Sequence, residues 1–100
     1  MAISIAHVPT ASASRYLQQL CKHWGHKFPV EFDARHGEIS LPMGPLTMDA
    51  SDSELVVSLQ TPDEAALDRF EHVVAEHLAR FAFREELTFD WRRETAAASA

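Results

Sequence analysis

The chain has 100 residues, 46% of them hydrophobic, so it is long enough for one domain with a single core and too short for two. Its formal net charge of −6 weighs against a nucleic-acid or an anionic membrane partner, because both select basic proteins. One cysteine allows no internal disulfide, and no segment reaches the roughly 18 apolar residues of a membrane helix, so we expect a cytoplasmic protein.

The first predicted elements are a strand and a helix. Alternation over residues 2–8 predicts a strand whose buried face carries Ile3 and Ile5, and Pro9 ends it because proline cannot donate to a ladder. A helix over residues 12–25 follows, with Gly25 as its stop. Its apolar stripe consists of Ala13, Tyr16, Leu17, Leu20, Cys21 and Trp24.

Four short strands come next, each with alternating apolar positions and each followed by a turn or loop. The connections are too short for parallel crossovers, so we expect an antiparallel meander with one apolar face. The residues predicted on that face are Val30, Phe32, Ile39, Leu41, Leu46, Met48, Ala50, Leu55, Val57 and Leu59.

The second helix has the clearest start in the chain. Thr61-Pro62-Asp63-Glu64 offers an N-cap, a proline at the first helical position and an acid three residues after the cap. The helix should run to about residue 83. The predicted domain covers residues 1–91, and residues 92–100 have so little to bury that we expect a disordered tail.

These elements predict an α+β fold in the order β-α-β-β-β-β-α. Both helices are amphipathic and each strand has one apolar face, so the economical arrangement is two layers. We therefore expect an antiparallel sheet with both helices packed on one side of it.

Two histidines are the most informative candidates for chemistry. His23 and His77 lie at or within the apolar stripes of the two helices, and would approach each other if the helices pack side by side. With Cys21 and a carboxylate they would make a metal site, although a second ligand cluster such as CxxC is missing. The alternative is a buried thiol, two helix-end histidines that suit the negative end of the first helix's dipole, and a core His77 hydrogen-bonded to the backbone or a carboxylate.

Two segments carry a family resemblance. Ser14-Arg15-Tyr16-Leu17-Gln18-Gln19-Leu20-Cys21-Lys22-His23-Trp24 and His77-Leu78-Ala79-Arg80-Phe81-Ala82-Phe83-Arg84-Glu85 resemble the signature segments of the bacterial domain-of-unknown-function family 2218. The similarity extends to about Trp91, and the element order resembles TATA-binding-protein-like folds in architecture alone.

The resemblance also implies a metabolic context for the protein. Some members look like companions of siderophore-interacting flavin reductases, which implies iron or siderophore metabolism and such a reductase as partner. The chain lacks a flavin- or nicotinamide-binding motif, so it is not the reductase itself. The signature segments contain Arg15, Arg80 and Arg84 but assign them no role.

Three hypotheses follow. The leading one is a non-enzymatic binding module whose site lies between the helices, with histidines for a metal ion and charged groups for an anionic ligand. Its candidate residues are Cys21, His23 and His77 for metal, and Arg15, Arg80, Arg84 and Glu85 for ligand. The second is a small enzyme with His77 as general base, assisted by Glu85 or His23. The third is an oligomerisation domain, for instance a homodimer formed through the exposed sheet face or edge.

Overall fold

The computed structural model of the protein describes residues 2–82 and 85–95, with the side chains of residues 94 and 95 outside that description. The described chain forms one six-stranded sheet and two helices. The strands are β1 (Ala2–Pro9), β2 (Val30–Phe32), β3 (His36–Leu41), β4 (Gly44–Ala50), β5 (Glu54–Thr61) and β6 (Trp91–Thr95). The helices are α1 (Ala13–Trp24) and α2 (Leu67–Phe81).

The sheet is antiparallel throughout, in the order β2-β3-β4-β5-β1-β6. Both helices cover the same face of it. Cys21 of α1 lies over Gly37 in β3, and Glu71 of α2 is hydrogen-bonded to Ser4 in β1. The strand register puts Gly37 and Ser4 on one side of the sheet. The predicted α+β, two-layer arrangement is thereby confirmed.

Helix α1 packs very closely on the sheet at Gly37. A Cβ at this glycine would lie 2.8 Å from Cys21 Sγ and 3.1 Å from Leu17 Cδ2, so only glycine fits without movement. Cys21 is fully buried here, and burial raises the pKa of its thiol to about 11. The thiol is therefore protonated near neutral pH and unreactive.

Strand β1 presents the opposite face from the one that its sequence predicts. Its buried positions are Ala2, Ser4, Ala6 and Val8, whereas Ile3 and Ile5 lie half-buried on the face away from the helices. Alternation fixes which residues share a face, but it does not say which face a helix covers. Small side chains on the covered face allow α2 to lie close to the strand, as the hydrogen bond between Ser4 and Glu71 shows.

The C-terminal strand β6 corrects the predicted domain boundary at residue 91. Residues 91–95 pair with β1 as an edge strand, and Arg93 forms ion pairs with Asp68 and Glu71 of α2. Residues 92–95 therefore belong to the ordered sheet. Residues 96–100 of the predicted tail lie outside the described residues.

The start of α2 differs in detail from the predicted cap. Thr61 is the buried last residue of β5, and Asp63 caps a 3₁₀ turn at Glu64–Ala66 by accepting a hydrogen bond from the Ala65 N–H at 2.9 Å. The α-helix then begins at Leu67. Within residues 2–82 and 85–95, no helix is long and apolar enough to cross a bilayer.

Candidate functional site

The two helices run in opposite directions and meet along a row of aromatic rings. His23 of α1 lies beside His77 of α2, whereas Tyr16, earlier in α1, contacts Glu85 beyond the end of α2. The rings at this junction form what we call the inter-helix cluster, defined as His23, Trp24, His77 and Phe81.

The inter-helix cluster places two imidazoles next to each other at its outer edge. The ring centroids of His23 and His77 are 5.4 Å apart, with their planes tilted by 51°. The ring of Trp24, a residue only 7% exposed, lies beneath them with its centroid 4.9 Å from that of His77. The ring of Phe81 flanks His23, with 6.1 Å between their centroids. His23 is exposed and His77 is half-buried, so solvent reaches the pair from one side.

A backbone hydrogen bond fixes the orientation of His77. Its Nδ1 lies 2.7 Å from the carbonyl oxygen of Val73, one helical turn earlier. A carbonyl only accepts, so Nδ1 carries the proton and, in the neutral ring, Nε2 keeps its lone pair. Neither Nε2 of His77 nor the ring of His23 has a hydrogen-bond partner among the described residues.

The separation of the two imidazoles suits a shared cation. Two imidazoles that bind one tetrahedral ion at about 2.0–2.1 Å have ring centroids roughly 5 Å apart. In the described part of the chain, no group of three or more His, Cys, Asp or Glu residues is arranged to hold a metal ion. The geometry therefore offers two ligands and leaves the remaining coordination positions open.

Cys21, the third predicted metal ligand, is not brought to the histidines. It lies two residues before His23, so the two side chains leave α1 in nearly opposite directions. Its sulfur is packed against Gly37 of β3, beneath the helix.

The predicted ligand-binding residues are spread along the helix pair. Arg15 lines a shallow groove of about 550 Å³ on the outer face of α1, together with Ser12, Gln18 and Lys22. Arg80, one turn after His77, donates to Glu76 at 2.8 Å on the exposed face of α2. Arg84 lies outside the described residues.

Glu85 has a partner that the sequence does not reveal. Its Oε2 accepts hydrogen bonds from Tyr16 at 2.5 Å and from Thr10 at 3.0 Å, which joins the segment after α2 to the start of α1. Burial raises the pKa of Tyr16, and the hydrogen bond and charge of Glu85 add to this effect. Glu85 is thus engaged beside Tyr16, and it has no hydrogen bond or ion pair with His77 among the described residues.

Three other histidines have carboxylate partners at the surface. Nδ1 of His36 lies 2.6 Å from Oδ1 of Asp49, and Nδ1 of His7 lies 3.3 Å from Oε1 of Glu54. Nε2 of His72 lies 3.4 Å from Oε2 of Glu76. Within the described residues, His23 and His77 have no such partner, so each keeps an acceptor nitrogen for an external ligand.

An open antiparallel sheet covered on one face by two helices defines a small two-layer α+β domain. Residues 5–92 match the family described as "Uncharacterized protein conserved in bacteria (DUF2218)", and the chain belongs to this family. The resemblance predicted from the two helical segments is therefore confirmed.

One solved structure is similar over almost the whole chain. It is the NMR structure of PA4090 from Pseudomonas aeruginosa, with a TM-score of 0.77 and 41% identity. The match covers 92% of this chain and 96% of that chain. No curated protein matches the chain.

Proposed function

We propose that the domain is a non-enzymatic binding module that holds a divalent transition-metal ion between His23 and His77. The observation that carries this proposal is the 5.4 Å separation of two imidazoles supplied by different helices. Each has an acceptor nitrogen without a partner in the described structure. Imidazole is a good ligand for zinc, copper, iron and nickel, which defines the class of ion.

The surroundings of the pair favour metal binding over a freely rotating side chain. Metal-binding histidines commonly donate their second ring N–H to a carbonyl or carboxylate, which fixes the ring and its tautomer. The bond from His77 Nδ1 to Val73 is of this kind. Trp24 and Phe81 restrict the rings on the protein side and leave the outer side open.

The finer part of the proposal concerns iron. The family resemblance supports a role as an accessory domain in iron or siderophore handling, with a siderophore-interacting reductase as partner in the cytoplasm. Two protein ligands would leave room on the ion for water or for an external chelator. Arg80 and Arg15 are two of the described cations that could contact anionic groups of such a chelate.

Isothermal titration calorimetry on the full chain without an affinity tag tests the proposal. Zn²⁺, Co²⁺, Ni²⁺ and Fe²⁺ should be compared, the last under anaerobic conditions. We expect saturable binding that His23→Ala and His77→Ala each weaken at least about tenfold, because each removes one of two ligands. A metal at 100 times its dissociation constant should also stabilise the fold by about 2.7 kcal/mol.

Matched controls are available on α2 and just beyond α1. His72→Ala removes an exposed histidine of α2 that pairs with Glu76, and His26→Ala removes an exposed one just beyond α1. Both should bind as the wild type does. Absence of binding by every ion, or equal binding by all four variants, would contradict the proposed site.

A further inference from the structure

The proposed metal site has half of the ligands that a closed tetrahedral site uses. Structural zinc sites have four protein ligands, whereas the described residues supply His23 and His77 and no third acidic, thiol or imidazole group around them. The missing ligands must come from water, from a chelator or from another protein chain. The position of the pair decides among these sources.

The histidine pair lies at the surface of the two-helix layer, not in a cleft. His23 is exposed, and Trp24 closes the site from below, so an ion held here faces outward. A two-fold axis through the ion, parallel to the two helices and outside this layer, places a second copy face to face with the first and duplicates the pair. It brings four imidazoles to one ion, with both copies using the same surface.

We infer that, with metal present, two copies of the chain share one ion through His23 and His77 of each copy. This inference rests on the proposed metal site and fills its two open coordination positions with the histidines of a second copy in place of water or a chelator. The two-fold axis sets α1 of one copy beside α2 of the other.

The test is size-exclusion chromatography with light scattering on the untagged full chain, with Co²⁺, with Zn²⁺ and with a chelator. We expect the molecular mass to double from 11.2 kDa when metal is added and to return with the chelator. The bound metal should reach about half an ion per chain. Co²⁺ should show the intense visible absorption of a tetrahedral site.

The variants separate the shared site from simple metal binding. His23→Ala, a change at an exposed position that leaves folding intact, should abolish the metal-dependent dimer, whereas His26→Ala should preserve it. One ion per chain at monomer mass would overturn the shared site and leave the metal proposal standing. A dimer that forms equally without metal would overturn the inference, and absence of metal binding would overturn both.

Discussion

Arg93 in β6 donates to both carboxylate oxygens of Glu71 in α2, at 3.0 Å from Nε and 2.8 Å from a terminal nitrogen. Ser4 Oγ, fully buried in β1, donates to the same carboxylate at 2.5 Å. Burial by itself would raise the pKa of Glu71, but the hydrogen bonds from Arg93 and Ser4 outweigh it and lower that pKa. One carboxylate therefore joins the last strand, the second helix and the first strand.

Removing Arg93 should loosen this junction. We expect Arg93→Ala to lower the free energy of unfolding by about 1–2 kcal/mol, because Glu71 would keep a largely buried charge without its bidentate partner. Arg93 is itself one-third exposed, and water compensates part of the loss. Urea denaturation measures the change. Arg92→Ala, at an exposed neighbour, should stay within about 0.5 kcal/mol.

The contacts of Glu71 with Arg93 and Ser4 also predict that the stability of the fold depends on pH. The pKa of Glu71 is lower in the folded chain than in the unfolded chain, so its contribution is complete above the ordinary value of about 4.3. The contribution is lost as the pH falls through the folded pKa. The stability difference between the wild type and Glu71→Gln should therefore shrink below about pH 4. A constant difference down to acid pH would contradict this account.

The titration of Tyr16 should report its contact with Glu85. Tyr16 is the single tyrosine, so absorbance near 295 nm follows its ionisation alone. Burial and Glu85 raise its pKa, so the midpoint should lie above about 10. Glu85→Gln should lower the midpoint, whereas Glu86→Gln, next in the chain and exposed, should leave it nearly unchanged.

The raised pKa of Tyr16 also sets the alkaline limit of its contribution to stability. The contribution is present below the ordinary tyrosine pKa and is lost as the pH rises through the folded one. Tyr16→Phe should cost about 0.5–1.5 kcal/mol at neutral pH, the usual value of a hydrogen bond. The free energy of unfolding of this variant should fall less steeply with rising alkaline pH than that of the wild type.

The contact between Gly37 and Cys21 gives a double-mutant test of the packing of α1. Gly37→Ala places a methyl group within 2.8 Å of the sulfur, so we expect a loss of about 1–3 kcal/mol from overpacking. In a Cys21→Ala background the loss should be smaller, because the sulfur is absent. Leu17 Cδ2 would still lie 3.1 Å from the added methyl group, so the Cys21→Ala background should restore only part of the lost stability. Equal losses in both backgrounds would show that the contact does not limit the packing.

The sequence predicts the elements of this fold better than their mutual arrangement. The stripe on α1 is buried as predicted, because periodicity within one helix is local information. The sequence does not predict strand β6, because the order of this strand depends on its pairing with β1 and on Glu71, both far away in the chain. A charged residue such as Arg93 looks like part of a tail until its buried partner is known.

The sequence likewise predicts one contact of the candidate site but not the positions of its other proposed members. The helical stripes predict that His23 and His77 come together when the helices pack side by side, and the structure has them as neighbours. The sequence grouped Cys21 with them by proximity along the chain, yet α1 turns its sulfur toward the sheet. The sequence also suggests Glu85 as a partner of His77, whereas the structure has its carboxylate accepting hydrogen bonds from Tyr16 and Thr10.

The hydrogen bond to Val73 predicts the tautomer of His77. In the metal-free protein its proton should reside on Nδ1, because the carbonyl at 2.7 Å can only accept. Two-dimensional ¹H–¹⁵N spectra of the imidazoles at about pH 8 distinguish the two tautomers. His72, exposed on the same helix, is the comparison. A proton on Nε2 of His77 would remove the lone pair that the metal site needs.

The most direct test of the metal site is a Zn²⁺ titration followed by imidazole ¹⁵N resonances of the six histidines. We predict that resonances of His23 and His77 shift together and saturate at one ion concentration, with Nδ1 of His77 still protonated. The other four should move little. Saturable shifts at a different pair of histidines, or none at His23 and His77, would contradict the account.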